Sequence, residues 1–335
     1  MGFDILADGQ VIMESSSSVF EDFMKSAFES RIKVFGNELL CYSPTAYPYN
    51  IEDHRQASRH NFISISVTGT SCALQCDHCE GRLLKSMEPA MTPDQLIQVC
   101  KEVRIRGAEG VLISGGSDSK GHVPLSQFGE AIKTATLELG LKVVVHTGLV
   151  DEDTVQLLKD ASIDAAMLDI IGSREGSKSV YHLEDGPRRM EQSLELLHAA
   201  GIPTVPHVLV GLDYGALGGE IEALDMIART NPAGVVIIAL SPLRKTPMAA
   251  AKPPSAESIG RVLTVTRLAM KETPVLLGCA RPIGQHKIDT DRYALRSGVN
   301  GVAYISQEGV DYAKSLSLKP IFRDVCCSLA YEMTT

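Results

Sequence analysis

The stretch "ISISVTGTSCALQCDHCEGR", residues 63–82, joins a short β-branched run to a loop that holds three of the chain's eight cysteines. The run at 63–67 is typical of a strand in a parallel sheet. Similar runs follow along the chain, separated by longer stretches of helical periodicity. They lie at 110–114, 142–147, 165–170, 204–210, 234–240, 274–278 and 301–305.

Alternating strands and helices predict repeated βα units with parallel strands. Eight such units favour an α/β fold of the (β/α)8 TIM-type barrel, full or nearly closed, over a two-domain doubly wound protein. Residues 16–35 predict an amphipathic helix that ends at Gly36, so a helical extension precedes the barrel. We therefore expect an N-terminal helix and extended segment at 1–60, the barrel at 61–310 and a C-terminal segment at 311–335.

Composition narrows the class of partner. The formal net charge is −9, and acidic and basic residues are interspersed, which argues against a protein that binds nucleic acid or a membrane surface. No apolar run approaches the ~20 residues of a membrane span. The start, "MGFDILADGQ", lacks the basic and apolar regions of a signal peptide, so we expect a cytoplasmic protein. In that reducing compartment, clustered cysteines favour metal binding over disulfides.

The three clustered cysteines are Cys72, Cys76 and Cys79, with the spacing CxxxCxxC. Three thiolates suit a [4Fe–4S] cluster in which one iron keeps no protein ligand. The alternatives are a structural zinc site and chance clustering. Zinc normally requires four nitrogen or sulfur ligands, and His78 lies between two of the cysteines, where it cannot easily complete the same tetrahedron. The loop follows the first strand, so it opens onto the face where barrel enzymes have their active sites.

CxxxCxxC after the first strand of a βα barrel resembles the signature of the radical S-adenosylmethionine (SAM) superfamily, and the resemblance covers residues 60–305. It implies two cofactors, a [4Fe–4S] cluster and SAM, whose amino and carboxylate groups bind the free iron. It also implies that the reduced cluster cleaves SAM to a 5′-deoxyadenosyl radical, which removes hydrogen from an unactivated carbon. In such enzymes the cofactor supplies the reactivity and the protein positions it.

The resemblance further implies SAM contacts at the ends of the strands. Ser117 stands where the family often has Glu, with Asp118 as a substitute. The ordinary alternatives are turn glycines, a capping aspartate and a solvated loop histidine. The candidate residues are His78, Gly115, Gly116, Ser117, Asp169, Gly211 and Leu212, with Gly215 closing the last segment.

Three parts of the chain resemble the biotin-synthase-like group of this superfamily. They are the N-terminal helix and two stretches within residues 239–259, "ALSPLRKTPM" and "PPSAESI". Biotin synthase itself draws cysteines from inner barrel strands to bind a second cluster. The third, fourth and fifth predicted strands of this chain contain no cysteine, which disfavours biotin synthesis.

Three other cysteines lie late in the chain: Cys279 after the seventh strand, and the adjacent pair Cys326 and Cys327. They are candidate ligands of a second, auxiliary iron–sulfur cluster, and Cys41 is a further candidate. The alternative is that they are buried small apolar residues, as we expect for Cys100 in its apolar helix.

Several segments together are similar to the two-subunit archaeal-type lipoyl synthases: residues 66–90, "LDIIGS", "VPHVLVGLDYG", "LLGCARPIG" and the C-terminal "CC". This resemblance implies sulfur insertion into an octanoyl chain, with the auxiliary cluster as sulfur donor. The implied partners are an octanoylated lipoyl carrier protein, a second radical SAM subunit and an electron donor such as ferredoxin or flavodoxin. Five basic residues are expected near the barrel mouth: Arg244, Lys245, Arg281, His286 and Lys287. They could steer an acidic carrier protein or bind a carboxylate. The alternative, expected for most of them, is ordinary solvated surface charge.

Two other functions stay open at this point. One is a radical rearrangement or maturation reaction on a free small molecule, as in methylornithine-type enzymes, which requires one cluster only. The other is a non-catalytic iron–sulfur electron carrier or scaffold, because such clusters span potentials of about −700 to +450 mV.

Overall fold

The structure is a computed structural model that describes residues 2–45 and 47–333. All eight predicted strands are present, and each is followed by a helical segment. They are β2 (Phe62–Ser66), β4 (Gly110–Ser114), β5 (Lys142–His146), β6 (Ala165–Met167), β7 (His207–Val210), β8 (Val235–Ala239), β9 (Val275–Leu277) and β10 (Gly301–Ala303). Three more strands were not predicted: β1 (Glu38–Tyr42), β3 (Glu88–Pro89) and β11 (Lys319–Arg323).

The strands form two parallel sheets that meet to make a barrel wall. One sheet has the order β3-β2-β4-β5-β6 and the other the order β11-β1-β10-β9-β8-β7. Parallel bridges from Ala166 to Thr204 and from Asp169 to His207 join β6 to β7. At the other seam, the Thr45 amide donates to the Phe62 carbonyl at 3.2 Å. The predicted fold is therefore confirmed, with a wall closed by isolated bonds at its two seams.

Two of the unpredicted strands, β1 and β11, extend the wall beyond the eighth βα unit, whereas β3 pairs with β2. β1 pairs in parallel with β10 and with β11. β1 lies in the segment that the sequence pattern placed in an extension, because a five-residue run next to a helix carries no local sign of its distant partner. β11 contains Pro320, which suits its position at the edge of the sheet.

The helices surround the wall, and those of the N-terminal extension cover one side of it. The predicted helix at 16–35 is observed as α2, capped by Ser16 and ended by Gly36 at φ 70°. α1 was not predicted; it packs on α8 and α9, and α2 packs on α9 and α10. The helices are α1 (Ile5–Glu14), α2 (Ser17–Phe35), α3 (Pro93–Ile105), α4 (Gly129–Lys133), α5 (Glu152–Asp160), α6 (Arg174–Val180), α7 (Gly186–Ala199), α8 (Glu220–Ala228), α9 (Ala256–Ala269), α10 (Gln285–Arg296) and α11 (Gln307–Ser315).

Two apolar clusters lie on the two faces of the wall. The larger one fills the space between strands and helices. The smaller one lies inside the barrel, where residues 325–330 of the C-terminal segment pack against Tyr42, Val144, Met167 and Val236. The C-terminal segment is therefore part of the barrel interior. Among the helices of the described residues, none combines the length and apolar character needed to cross a membrane.

Candidate functional site

The cysteine loop leaves β2 at the C-terminal end of the barrel and is tied to two neighbouring segments. The Ala73 amide donates to the Ser117 carbonyl at 2.7 Å, and the Asp77 amide to the Val180 carbonyl at 3.0 Å. The Gly116 amide donates to the Thr68 hydroxyl at 2.7 Å. These bonds anchor the loop to the segments that follow β4 and to α6.

The three thiols of this loop lie close enough to influence one another. Cys76 is buried, and Cys72 and Cys79 are partly accessible. Burial raises the pKa of Cys76 well above its ordinary value, and the charges of Cys79 and Cys72 raise it further. Burial also raises the pKa of Cys79 to about 11. Metal binding at these thiols must therefore release protons.

The donor arrangement separates the two metal alternatives. Structural zinc normally takes four nitrogen or sulfur ligands, whereas in a four-iron cube each of three thiolates binds a different iron. Cys72, Cys76 and Cys79 supply three thiols. The three neighbouring thiols therefore fit the iron–sulfur cluster better. The His78 ring beside Cys79 adds a buried Nδ1 atom that has no hydrogen-bond partner in residues 2–45 and 47–333.

The glycine pair after β4 has a packing role that the sequence did not indicate. A Cβ atom at Gly116 would lie 2.0 Å from the Ser71 carbonyl oxygen and 2.6 Å from the Cys72 Cα. A Cβ at Gly115 would meet side chains of Thr68 and Val67 at 3.1 Å. Only glycine at 116 therefore lets the cysteine loop pass this close.

Ser117 and Asp118, which follow the glycine pair, both accept hydrogen bonds from loop amides. The Ser117 carbonyl holds the cysteine loop. Asp118 accepts bonds from the backbone amides of Lys120 and His122 at 2.8 and 2.9 Å. Asp118 thus uses one carboxylate oxygen in its own turn, and its place as a substitute for the missing glutamate stays a prediction.

The segment after β7 also packs through its glycines. At Gly211, with φ 79°, a Cβ would lie 2.8 Å from Pro254, and at Gly215 it would lie 1.8 Å from the Lys252 carbonyl oxygen. Leu212 between them is buried. Next to them, the Tyr214 hydroxyl donates to Asp77 in the cysteine loop. The structure thus brings this segment against the cysteine loop, as its candidate role requires.

Asp169, just beyond β6, contacts side chains that were not among the predicted site residues. The Tyr181 hydroxyl donates to its Oδ2 at 3.2 Å, and His146 Nε2 lies 3.6 Å from its Oδ1. The His146 and His207 rings are 5.7 Å apart. The sequence signal for His207 was a polar residue inside an apolar strand; for Tyr181, at the end of α6, no such signal exists.

These groups line an accessible chamber inside the barrel. The side chains of His146 and Asp169 keep 29% and 25% of their exposure, although protein surrounds them. Burial alone would raise the pKa of Asp169, but the nearby charge of His146 outweighs it, and the pKa falls well below its ordinary value. The same pairing raises the pKa of His146 against the opposing effect of burial. Burial and the His146 charge lower the pKa of His207 to about 4. These shifts favour a charged His146–Asp169 pair and a neutral His207.

The structure brings Cys279 and the C-terminal cysteines into one electrostatic neighbourhood. Cys279 is accessible at the mouth of the barrel, and Cys326 and Cys327 are buried in its interior cluster. Burial raises the pKa of Cys279, and the neighbouring Cys326 charge raises it further. A hydrogen bond from Cys327 lowers the pKa of Cys326, and the His146 charge acts in the same direction.

Cys41 and Cys100 do not belong to this group. Leu40 and Tyr42 of β1 face the barrel interior, whereas Cys41 between them packs in the cluster outside the wall. Alternate residues of a strand point to opposite faces, so Cys41 cannot join the interior cysteines. Cys100 is buried in the same outer cluster, as predicted.

Three of the five basic residues expected at the mouth are structural. Arg281 is buried, pairs with Asp291 at 2.8 Å and donates to the carbonyls of Gly278 and Ala303. Lys287 also bonds Asp291, at 3.4 Å. His286 Nε2 lies 2.8 Å from the Pro254 carbonyl oxygen. The expectation of surface charge is therefore wrong for these three, whereas Arg244 and Lys245 are exposed.

Comparison with known proteins agrees with this geometry. Residues 66–215 match the Radical SAM superfamily. The chain is 26% identical over 239 residues to the biotin synthase of Rhodopseudomonas palustris (strain BisB5), covering 68% of this chain and 69% of the relative. It is 24% identical over 269 residues to the biotin synthase of Buchnera aphidicola subsp. Acyrthosiphon pisum (strain APS), covering 76% and 75%. The predicted resemblance to the radical SAM superfamily and its biotin-synthase-like group is confirmed.

Solved structures share the fold over the whole chain. A methylornithine synthase (PylB) superposes with a TM-score of 0.69 at 17% identity, covering 100% of this chain and 97% of that one. The [FeFe]-hydrogenase maturase HydG superposes with a TM-score of 0.65 at 15% identity, covering 97% and 73%. These likenesses establish the common architecture.

Gly116→Ala should prevent cluster assembly, because the new Cβ would collide with the Ser71 carbonyl and displace Cys72. We expect at least about a tenfold loss of bound iron after anaerobic reconstitution, since a displacement of about 1 Å has effects of this size or larger. Gly115→Ala is the matched control and should lose far less, because it meets only side chains. Iron content and circular dichroism measure assembly and folding, and equal iron in both variants would contradict the argument.

Asp169→Asn should lower the pKa of His146 from above its ordinary value to below it, because burial remains and the paired charge is gone. We expect a fall of at least about one pH unit in an NMR titration of labelled histidines. Tyr181→Phe keeps the carboxylate charge and should leave His146 raised. In the parent protein the pair stabilises the fold below the ordinary histidine pKa, and this contribution disappears as pH rises through the raised value.

Proposed function

We propose that this chain, whose residues 66–215 belong to the radical SAM superfamily, is an enzyme that inserts sulfur into an octanoyl chain carried on a lysine of a carrier protein. Its family cofactors are a [4Fe–4S] cluster and SAM, which together supply a 5′-deoxyadenosyl radical able to remove hydrogen from an unactivated carbon. The sulfur source in this proposal is a second iron–sulfur cluster held by Cys279, Cys326 and Cys327.

At the family site, Cys72, Cys76 and Cys79 would hold three irons of the cluster, and Gly116 lies directly against this loop. Asp169 is a suitable acceptor for a ribose hydroxyl group, because the Tyr181 hydroxyl donates to its Oδ2 and His146 Nε2 lies 3.6 Å from its Oδ1. These two neighbours reduce the freedom of the carboxylate, which lowers the entropy lost on binding. Tyr181 also lies against His78, with ring centroids 5.2 Å apart, and so connects Asp169 to the cysteine loop.

The observation that supports the sulfur proposal is the electrostatic influence between Cys279, accessible at the barrel mouth, and the C-terminal cysteines buried in the interior cluster. Distant parts of the sequence supply these thiols, yet the charges of Cys326 and Cys279 act on Cys327. The buried Nε atom of Arg281, two residues beyond Cys279, lacks a hydrogen-bond partner among the described residues. A buried, unpaired guanidinium donor favours a neighbouring anionic group such as a sulfide-bearing cluster.

The rest of the chamber suits radical chemistry on an apolar chain. The interior wall contributes the buried apolar side chains of Leu40, Val144, Val236 and Leu276, which pack in one cluster with the C-terminal segment. Such a lining excludes water from the reaction. The octanoyl chain would reach this interior from the open mouth, where its carrier protein and a second radical SAM subunit would dock.

A second candidate is a radical rearrangement of a free small molecule. The charged His146–Asp169 pair favours it, because buried charges suit a polar substrate better than an octanoyl chain. This candidate requires one cluster, so the iron content separates it from sulfur insertion.

Replacing Cys72, Cys76 and Cys79 together by Ala should leave about four irons per chain after anaerobic reconstitution, against about eight in the parent, because each [4Fe–4S] cluster carries its own ligands. Replacing Cys279, Cys326 and Cys327 should also leave about four, with the signal of the family cluster. Cys41→Ala is the control and should keep both clusters. A triple Cys72/Cys76/Cys79 variant without iron would contradict the proposal and favour the rearrangement.

Anaerobic incubation with SAM, reductant and an octanoylated carrier protein, with and without the partner subunit, tests the reaction itself. We expect mass spectrometry to show sulfur in place of hydrogen on the octanoyl chain, and the Cys279/Cys326/Cys327 variant to form 5′-deoxyadenosine without sulfur gain. Release of 5′-deoxyadenosine also excludes a mere electron carrier. If the parent cleaves SAM but transfers no sulfur even with its partner, sulfur insertion is excluded.

A further inference from the structure

The carboxylate of Asp77, inside the cysteine loop, joins two segments that follow other strands. The Tyr214 hydroxyl donates to its Oδ2 atom, and His182 Nε2 lies 3.2 Å from its Oδ1 atom. The Asp77 amide also donates to the Val180 carbonyl at 3.0 Å. Tyr214 belongs to the segment after β7, and His182 to the loop after α6. We call the group of Asp77, His182 and Tyr214 the Asp77 clamp.

The clamp crosses the mouth of the barrel. In the wall, β4, β5 and β6 lie between β7 and β2, the strand that leads into the cysteine loop. A contact between the loops after β2 and β7 therefore spans the ends of the strands between them. The loop after α6 adds a further link, because Tyr181 contacts both His78 and Asp169. Segments that bear three of the candidate SAM contacts, at His78, Asp169 and Gly211, are thus linked through one carboxylate.

Both partners reach Asp77 from backbone conformations that residues with a side chain rarely adopt. The φ angle is 49° at Tyr214 and 56° at His182, in the left-handed region. Strain of this kind persists where the surrounding structure holds it, and it concentrates at ligand sites. Tyr214 is 45% exposed, and the His182 side chain is 46% exposed, so neither adds much to the apolar core. The clamp is therefore placed to fix loops.

The segment after β7 is fixed at its base by a second carboxylate. Glu220 is buried and accepts hydrogen bonds from the amides of Gly211 and Gly218 at 2.9 and 2.6 Å. Tyr214 lies between these two glycines in the chain. The base of the segment is thus held by Glu220, and its middle is held by Asp77 through Tyr214.

We propose that Asp77 is a positioning residue for SAM, because its carboxylate holds the segment after β7 and the loop after α6 against the cysteine loop. Asp77 acts through Tyr214 and His182 and contacts no reacting atom. The clamp fixes both loops before SAM arrives, so less conformational entropy is lost on binding. The inference rests on the SAM cofactor of the radical SAM superfamily and is independent of sulfur insertion.

Hydrogen–deuterium exchange on the cluster-loaded full chain, before SAM is added, tests the clamp. Asp77→Asn should speed amide exchange at least about tenfold in residues 181–185 and 211–217, because hydrogen bonds to a charged group are the stronger ones. Tyr214→Phe should act on 211–217 alone, and His182→Ala on 181–185 alone. Either single-sided variant tests the clamp even if Asp77→Asn fails to fold.

SAM binding to the same cluster-loaded protein tests the positioning role. Asp77→Asn should weaken the SAM affinity and raise KM for SAM at least about tenfold. The iron content, and kcat for 5′-deoxyadenosine release at saturating SAM, should stay near the parent values, which is the pattern of lost binding. Adding Tyr214→Phe to Asp77→Asn should change the affinity little further, because the two residues act through one contact.

Glu80→Gln is the matched control. It removes a carboxylate from the same loop, but that carboxylate pairs with Arg82 at 3.5 Å, so exchange and SAM affinity should equal those of the parent. Unchanged exchange or unchanged SAM affinity in Asp77→Asn would overturn the proposal. So would a loss of iron in that variant, since Asp77 would then serve cluster assembly, or an equal effect of Glu80→Gln. Each outcome is independent of whether the chain inserts sulfur.

Discussion

The arrangement of the site depends on one close approach between backbones. The Ser71 carbonyl passes 2.0 Å from the position where a side chain at Gly116 would begin. Since Gly116 lacks that side chain, the cysteine loop lies directly on the turn after β4, where its amides find fixed acceptors. The loop thereby brings its three thiols together at the barrel mouth. The position of the proposed cluster depends on this contact.

The alternation of residues along parallel strands divides the remaining chemistry between two faces. Residues that point outward, including Cys41, pack under the helices. Residues that point inward at the strand ends include His146 and Asp169, which share the chamber with the C-terminal cysteines. Burial of a charged pair costs desolvation energy, and the attraction between His146 and Asp169 offsets part of that cost. The C-terminal segment completes the interior, because it packs against the inner faces of several strands.

The positive charge of a side chain does not by itself determine whether the residue is buried or exposed. Arg281 lies just before α10 and Lys287 lies on it. Both side chains bond Asp291 of the same helix. The Arg281 guanidinium joins β9, β10 and α10 through its several donors. Arg244 and Lys245 lie on a loop of the same mouth and are exposed. The difference lies in whether a carboxylate and free carbonyls are within reach, and this depends on packing.

Local patterns in the sequence determined the eight strands, the helix at α2 with its Gly36 terminus, and the CxxxCxxC loop with its family. These features rest on residues a few positions apart, whose periodicity and spacing survive in any single stretch of chain. Only the tertiary structure decided that β1 and β11 extend the wall, that Tyr181 and His146 lie beside Asp169, and that Cys326 and Cys327 pack inside the barrel while Cys41 packs outside the wall. The physical reason is the same in each case: these contacts join residues distant in the chain, and their geometry exists only after the strands have paired and the faces of each strand are assigned.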